Sequence, residues 1–217
     1  MAQFEVVFFD LDGTLVDTAP DLAYALNKVL AEEGKAQLPY EQIRPVASHG
    51  SAGLLGLGFG ITPQMDSFKP LQQRFISIYQ DNLSRQSALF EGMDTIIQSL
   101  DNQGTRWGVI TNKPAFLTEP LMQDLKLHQR AACIVSGDTT PKSKPDPEPL
   151  LHACMLTDAD PSQCLYIGDA QRDIEAGRNA HMHTIIARYG YLSNEDNPES
   201  WQADAIINHP RELAQWL

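Results

Sequence analysis

Short apolar runs recur along the chain and alternate with segments of helix length. FEVVFF (4–9), RWGVIT (106–111), ACIVS (132–136), QCLYIGD (163–169) and HTIIAR (183–188) are close to continuous in hydrophobic residues. Runs of this kind suit strands covered on both faces, as in a parallel sheet. Between them, Met93 to Gln103, Ala115 to Leu125, Glu148 to Leu156 and Gln171 to Asn179 read as helices, two of them opening directly after Pro114 and Pro147. The alternation predicts an α/β fold with a doubly wound, mostly parallel sheet. ADAII (203–207) adds an edge strand, and PRELAQWL, from Pro210, a short closing helix.

One region breaks the alternation. From residue 18 to about 85 the pattern is helical, with no convincing strand. A first helix is expected from Thr18 as N-cap, with Pro20 in its first turn and Gly34 as its stop. SFKPLQQRFISIYQDNL supplies a second helical pattern. We therefore expect an α-helical cap, residues 16–85, inserted after the first strand of a core made of 1–15 and 86–217. Its expected place is over the carboxyl ends of the strands, where open α/β sheets bind ligands. The glycine-rich HGSAGLLGLGFG (49–60) is read as a flexible loop joining cap helices. Gly56, Gly58 and Gly60 do not make GxGxxG, and no GKS or GKT follows.

Composition narrows the partners. At 42% hydrophobic residues the 217-residue chain can bury a sizeable core, and its formal charge is −12. Such a surface repels nucleic acid and anionic lipid, so neither is expected as a partner. A phosphorylated substrate would need a metal cation or locally placed Lys and Arg. Cys133, Cys154 and Cys164 form no CxxC and are expected as buried thiols in a reducing compartment. The N-terminus lacks a signal pattern and no apolar stretch approaches a membrane span, so a cytoplasmic protein is expected.

The chemistry lies at the predicted strand ends. The first strand ends in Asp10 and Asp12, the second in Thr111 and Asn112. The third leads to SGDTTPKSKPDP, which contains Lys144, and the fourth to GDAQRD, with Asp169 and Asp173. In a parallel sheet these ends share one edge. Four carboxylates, a lysine and a hydroxyl would converge, and such a cluster needs a hard cation, best matched by Mg²⁺. One carboxylate of the Asp10/Asp12 pair can attack phosphorus, and the other can protonate the leaving oxygen and then activate water. Gly13 lets the backbone turn sharply, and the N–H groups around Leu11 and Asp12 can face phosphate oxygens. Thr111 and Lys144 can hold the rest. An EF-hand is excluded: counting from Asp10 puts Leu15 where glycine is required and Asp21 where glutamate is.

DLDGT, a strand-end Thr, KP and GDxxxD, in that order over residues 10 to 173, resemble the haloacid dehalogenase superfamily in its phosphatase branch. The resemblance implies Asp10 as nucleophile, Asp12 as general acid/base, and Thr111 and Lys144 as phosphate binders. It implies Mg²⁺ held by Asp10, the Asp12 backbone carbonyl and Asp169, with Asp173 supporting the metal shell or Lys144. DTAPDLA resembles the start of the cap in phosphoglycolate phosphatases. WGVITNKP, SKPDPEPL and RYGYLSNEDNPESWQAD are similar to a bacterial branch with that label, some of whose members are N-acetylmuramic acid 6-phosphate phosphatases. The implied substrate is a small phosphate ester. Within the cap, Arg44, Ser48, His49 and Gly50 are candidates to read its leaving group. Arg44, Lys69 and Arg74 are the candidate cations for a substrate carboxylate.

Overall fold

The computed structural model describes residues 4–217. Val6–Phe9 (β1) leads through Val16–Asp17 (β2) into four helices, Ala19–Glu32 (α1), Tyr40–Ile43 (α2), Gly50–Phe59 (α3) and Phe68–Gln80 (α4). The chain returns through Ala88–Leu89 (β3). It then alternates as Met93–Gln103 (α5), Arg106–Ile110 (β4), Ala115–Asp124 (α6), Ile134–Val135 (β5), Glu148–Thr157 (α7), Cys164–Gly168 (β6), Gln171–Asn179 (α8), His183–Ala187 (β7) and Ala205–Ile207 (β8). The tail, Pro210–Gln215, is 3₁₀ rather than α-helical.

Six strands form one parallel sheet in the order β5-β4-β1-β6-β7-β8. β1 is central and the order reverses beside it, the position at which such sheets bind ligands. Side chains alternate across the sheet as the period of a strand requires. Val6, Phe8, Cys164 and Tyr166 enter a core with Leu150 and Ala153 of α7. Val7, Phe9, Trp107, Val109, Leu165 and Ile167 enter a larger core that continues into the helical layer through Leu22, Leu26, Phe75 and Tyr79.

The antiparallel β2–β3 pair, Val16 opposite Leu89 and Asp17 opposite Ala88, brings together the outgoing and returning ends of the helical segment. Asp21 in the first turn of α1 adds a second tie. Its buried carboxylate accepts from Gln86 N (2.9 Å), Ser87 N (2.8 Å) and Ser87 Oγ (2.7 Å).

One local expectation is corrected and another is refined. Residues 50–59 are helical, not a flexible loop. Their glycines serve close packing: a Cβ on Gly58 would lie 3.0 Å from Leu26 Cδ1, and one on Gly53 would lie 2.3 Å from His49 Cβ. Thr18 holds the N-cap position of α1, as expected, but its side chain makes no capping bond. Its backbone is helical, and the N–H groups of Thr18 and Ala19 reach Tyr191 Oη at 2.6 and 2.9 Å. That frees the Thr18 hydroxyl to donate to Asp12 Oδ1 at 2.5 Å.

Asp21→Ala strands the two buried Ser87 donors and frees the Gln86 N–H, and is expected to destabilise the fold by about 2 kcal/mol in urea unfolding. An unchanged denaturation midpoint would contradict the tie.

Candidate active site

The register of the sheet gathers the predicted residues. Phe9 pairs with Val109 on one side and Ile167 on the other. Asp10 therefore stands level with Ile110 and Gly168, with Thr111 and Asp169 one residue beyond. One carboxylate oxygen from each of Asp10, Asp169 and Asp173 lies within 4.8 Å of the others, all three residues buried. This is an oxygen-only donor set of the kind hard divalent cations take.

Lys144 is the counter-charge. It is 3% exposed, and its Nζ lies 2.9 Å from Asp10 Oδ1, 2.7 Å from Asp173 Oδ1, 2.7 Å from Tyr166 Oη and 2.9 Å from the Ile110 carbonyl. Burial works against its charge, but Asp10 and Asp173 hold its pKa above the ordinary lysine value. Burial likewise raises Asp10 to about 6, against the pull of Lys144. Asp169 rises to about 7 through burial and the charges of Asp10 and Asp173. For Asp173 burial is outweighed by Lys144 and Arg172, which hold it below the usual carboxylate range. Its Oδ2 accepts from Ala170 N at 3.0 Å, so both oxygens have donors. Asp10, Asp169 and Asp173 could together hold a cation, with Asp173 also anchoring Lys144.

Asp169 is framed from three sides. Its Oδ2 accepts from Tyr191 N (2.8 Å) and Ser48 Oγ (2.9 Å), and Thr14 Oγ1 stands 3.5 Å from Oδ1. Gly13, at φ +89°, passes so close that a Cβ there would lie 2.2 Å from Asp169 Oδ2. Here glycine answers both the backbone angle and the space.

Above this cluster lies a cavity of about 470 Å³ between strand ends and helical layer. Asp10, Asp12, Thr111 and Asn112 form its floor with Lys113 and Arg172. Ser48, His49, Gly50 and Gln72 supply polar wall, and Leu22, Phe75, Ile76 and Phe116 apolar wall. Asn112 also ties two loops together, its side chain exchanging hydrogen bonds with the Lys144 main chain at 3.0 and 3.1 Å.

Arg44 is the predicted residue that the structure turns away. Its guanidinium donates to the carbonyls of Gly190 and Tyr189, both at 2.9 Å, and lies 5.1 Å over the Tyr191 ring. Arg74 pairs with Glu32 and Glu33, and Lys69 is exposed. None of the three lines the cavity.

Comparison with known proteins fits this geometry. The sequence model of the family described as haloacid dehalogenase-like hydrolase matches residues 7–187. The chain belongs to the haloacid dehalogenase-like hydrolases. It is similar to the N-acetylmuramic acid 6-phosphate phosphatase of Pseudomonas putida, 42% identical over 97% of this chain and 95% of the relative. It is also similar to a phosphoglycolate phosphatase of Xylella fastidiosa, 39% identical over 96% and 91%. A crystal structure of a predicted phosphoglycolate phosphatase from Haemophilus somnus superposes with a TM-score of 0.85 at 28% identity, covering 99% of this chain and 98% of the other. Among the described residues no helix is long and apolar enough to cross a membrane.

Within this hydrolase, sequence reasoning missed Lys113, Arg172 and Tyr191. Lys113 follows Thr111 and Asn112 in TNKP, Arg172 lies inside GDAQRD, and Tyr191 lies in RYGYL; each adjoins a quoted motif. Arg172 donates from Nη2 to the Ser48 carbonyl at 2.7 Å and joins the acidic cluster to the helical layer.

Folded Asp10 and Asp169 hold protons that the unfolded chain, near 3.8, has already released. Their contribution to stability is complete below about pH 4 and is lost as pH rises through 6 to 7. The metal-free protein is expected to melt lower at about pH 8 than at about pH 5.5, and Mg²⁺ at the higher pH to restore the loss. Asp169→Asn is expected to raise the metal-free melting temperature at about pH 8 by at least about 2 °C. A scanning calorimeter reads all three.

Proposed function

We propose that the protein is a Mg²⁺-dependent phosphomonoesterase acting through an aspartyl phosphate, on a sugar phosphate of the N-acetylmuramic acid 6-phosphate type. The observation that carries this reading is the state of Asp10. Lys144 takes one of its oxygens, while the residue opens on the cavity floor beside Asp12 and Thr111. A carboxylate so placed can present its second oxygen to phosphorus.

The roles follow from position. Asp10 attacks the phosphorus and the leaving oxygen departs with a proton from Asp12. Asp12 then takes a proton from the water that hydrolyses the phosphoryl-aspartate. Thr111 and the N–H groups of Leu11 and Asp12 are assigned to the phosphoryl oxygens, with Gly13 giving the backbone its turn. Lys144 balances charge on the nucleophile. A Mg²⁺ ion held by Asp10, Asp169 and the Asp12 carbonyl would neutralise the phosphate and the carboxylates. The helices of residues 18–80 act as a cap that excludes bulk water from the intermediate. Residues 16–85 are the corresponding domain, between 1–15 and 86–217.

The cavity favours the larger ester. Its volume falls in the range of pockets that hold drug-sized ligands, and its aromatic and small polar wall suits a pyranose. Arg44, Lys69 and Arg74 are absent from the lining; N-acetylmuramic acid carries a lactyl carboxylate just as 2-phosphoglycolate carries its own, so size, and not the missing cations, separates the two. Lys113 and Arg172 are the cations of the lining, and Lys113 already faces Asp12. The chain's likeness to the Pseudomonas enzyme agrees with this choice.

Asp10→Asn is expected to lower phosphate release by about 10³-fold or more, because nucleophile and cation ligand are lost together. Near-normal turnover would defeat the mechanism. A matched panel of N-acetylmuramic acid 6-phosphate, 2-phosphoglycolate and glucose 6-phosphate, ranked by kcat/KM with Mg²⁺, decides the substrate. Preference for the two-carbon ester would overturn the sugar reading and leave the phosphatase reading standing.

A further inference from the structure

Lys113 and Tyr79 lie outside every assigned role, yet they make a confined polar contact on the cavity floor. Lys113 Nζ lies 2.7 Å from Asp12 Oδ1 and 2.7 Å from Tyr79 Oη, with the lysine side chain 7% exposed. The lysine main chain is itself fixed. Its N–H donates to Thr111 Oγ1 (3.1 Å), and its carbonyl accepts from Gly137 N (2.8 Å) and Thr118 Oγ1 (3.1 Å). Tyr79 belongs to α4 of the helical layer, is 1% exposed and stacks on Phe75 at 6.3 Å. The ammonium also lies 4.6 Å from the Tyr79 ring centroid. A buried ammonium is retained only where its charge is answered. Here it is answered from both sides of the cavity, by a core carboxylate and a helical-layer hydroxyl.

The consequence concerns Asp12. Its Oδ1 takes two donors, Lys113 Nζ and Thr18 Oγ1. An oxygen held this way is closed to a proton, so proton exchange with substrate and water falls to Oδ2. We propose that Lys113 is the positioning residue that orients Asp12, and that Tyr79 holds Lys113 in place from the helical layer. This rests on the reading of Asp12 as general acid and base. With the lysine gone, the carboxylate is held by one hydroxyl and is free to turn.

The test uses Lys113→Met, Tyr79→Phe and the double variant. It compares kcat and KM for N-acetylmuramic acid 6-phosphate with the pre-steady-state burst of 4-nitrophenolate from 4-nitrophenyl phosphate. That phenolate departs without a proton, so forming the phosphoryl-enzyme from it does not call on Asp12. Lys113→Met is expected to lower kcat on the sugar phosphate by about 10²-fold, with KM moved by less than about threefold. The burst rate is expected to stay within about threefold of wild type. Its amplitude, near one per chain, would certify a folded and reactive Asp10. Tyr79→Phe should show a smaller loss of the same kind, and the double variant should be no worse than Lys113→Met.

A raised KM with kcat held would make Lys113 a substrate-binding cation. An equal loss of burst rate would make it a scaffold element. Multiplying effects in the double variant would uncouple Tyr79. Each of these overturns the proposal. Normal turnover by Asp10→Asn would instead remove the phosphoryl-enzyme reading beneath it, so the two failures are distinct.

Discussion

The contact on which the rest depends is the buried ammonium of Lys144 between Asp10 and Asp173. Three buried carboxylates at the end of a central strand repel one another and resist leaving water. One lysine contacts two of them without neutralising both: Asp10 is left raised to about 6 and Asp169 to about 7. Arg172 beside the cluster brings the cations to two against three carboxylates, so one positive charge is lacking. That shortfall lowers the stability of the metal-free fold at neutral pH, and it is the charge that the cation of the proposed mechanism would supply. Stability and function oppose each other at this point, as they often do where a site is strained for use.

The surrounding structure serves that cluster more than it serves substrate contact. Arg44 was a candidate for the substrate and instead clamps the carbonyls of Tyr189 and Gly190. Tyr191, next in that loop, gives its N–H to Asp169 and its hydroxyl to Asp17 and to the first turn of α1. One loop of the core thus holds a carboxylate of the acidic cluster with its backbone and the entrance to the helical layer with its side chain. Arg172 and Ser48 make a second bridge. With so many contacts spanning the two layers, a movement of the helical layer would be felt at the carboxylates.

Much of this was legible along the chain. The apolar runs located the strands of the parallel sheet, because strands buried on both faces must be apolar throughout. The strand-end motifs located Asp10, Asp12, Thr111, Lys144, Asp169 and Asp173, because each stands at the end of an apolar run or in the segment that follows it. Residues 49–60 misled, since glycine lowers helix propensity and reads as flexibility. The packing of Gly58 on Leu26 reverses that meaning. Thr18 stands at the expected N-cap, and its hydroxyl goes to Asp12 instead of to the helix.

By itself the sequence determined the fold class, the order of the strands' chemistry and the hydrolase family, because these rest on periodicity and on short motifs whose residues are neighbours in the chain. Only the tertiary structure decided which cations face the cavity. Lys113, Arg44, Arg74 and Lys69 are alike as letters, and each could serve a phosphate, a carboxylate or a carbonyl. What separates them is the partner met across a long stretch of chain: Asp12 for Lys113, 101 residues away, and Gly190 for Arg44, 146 residues away. A long basic side chain takes its role from the acceptor that the fold brings to its tip, and periodicity carries no record of that acceptor.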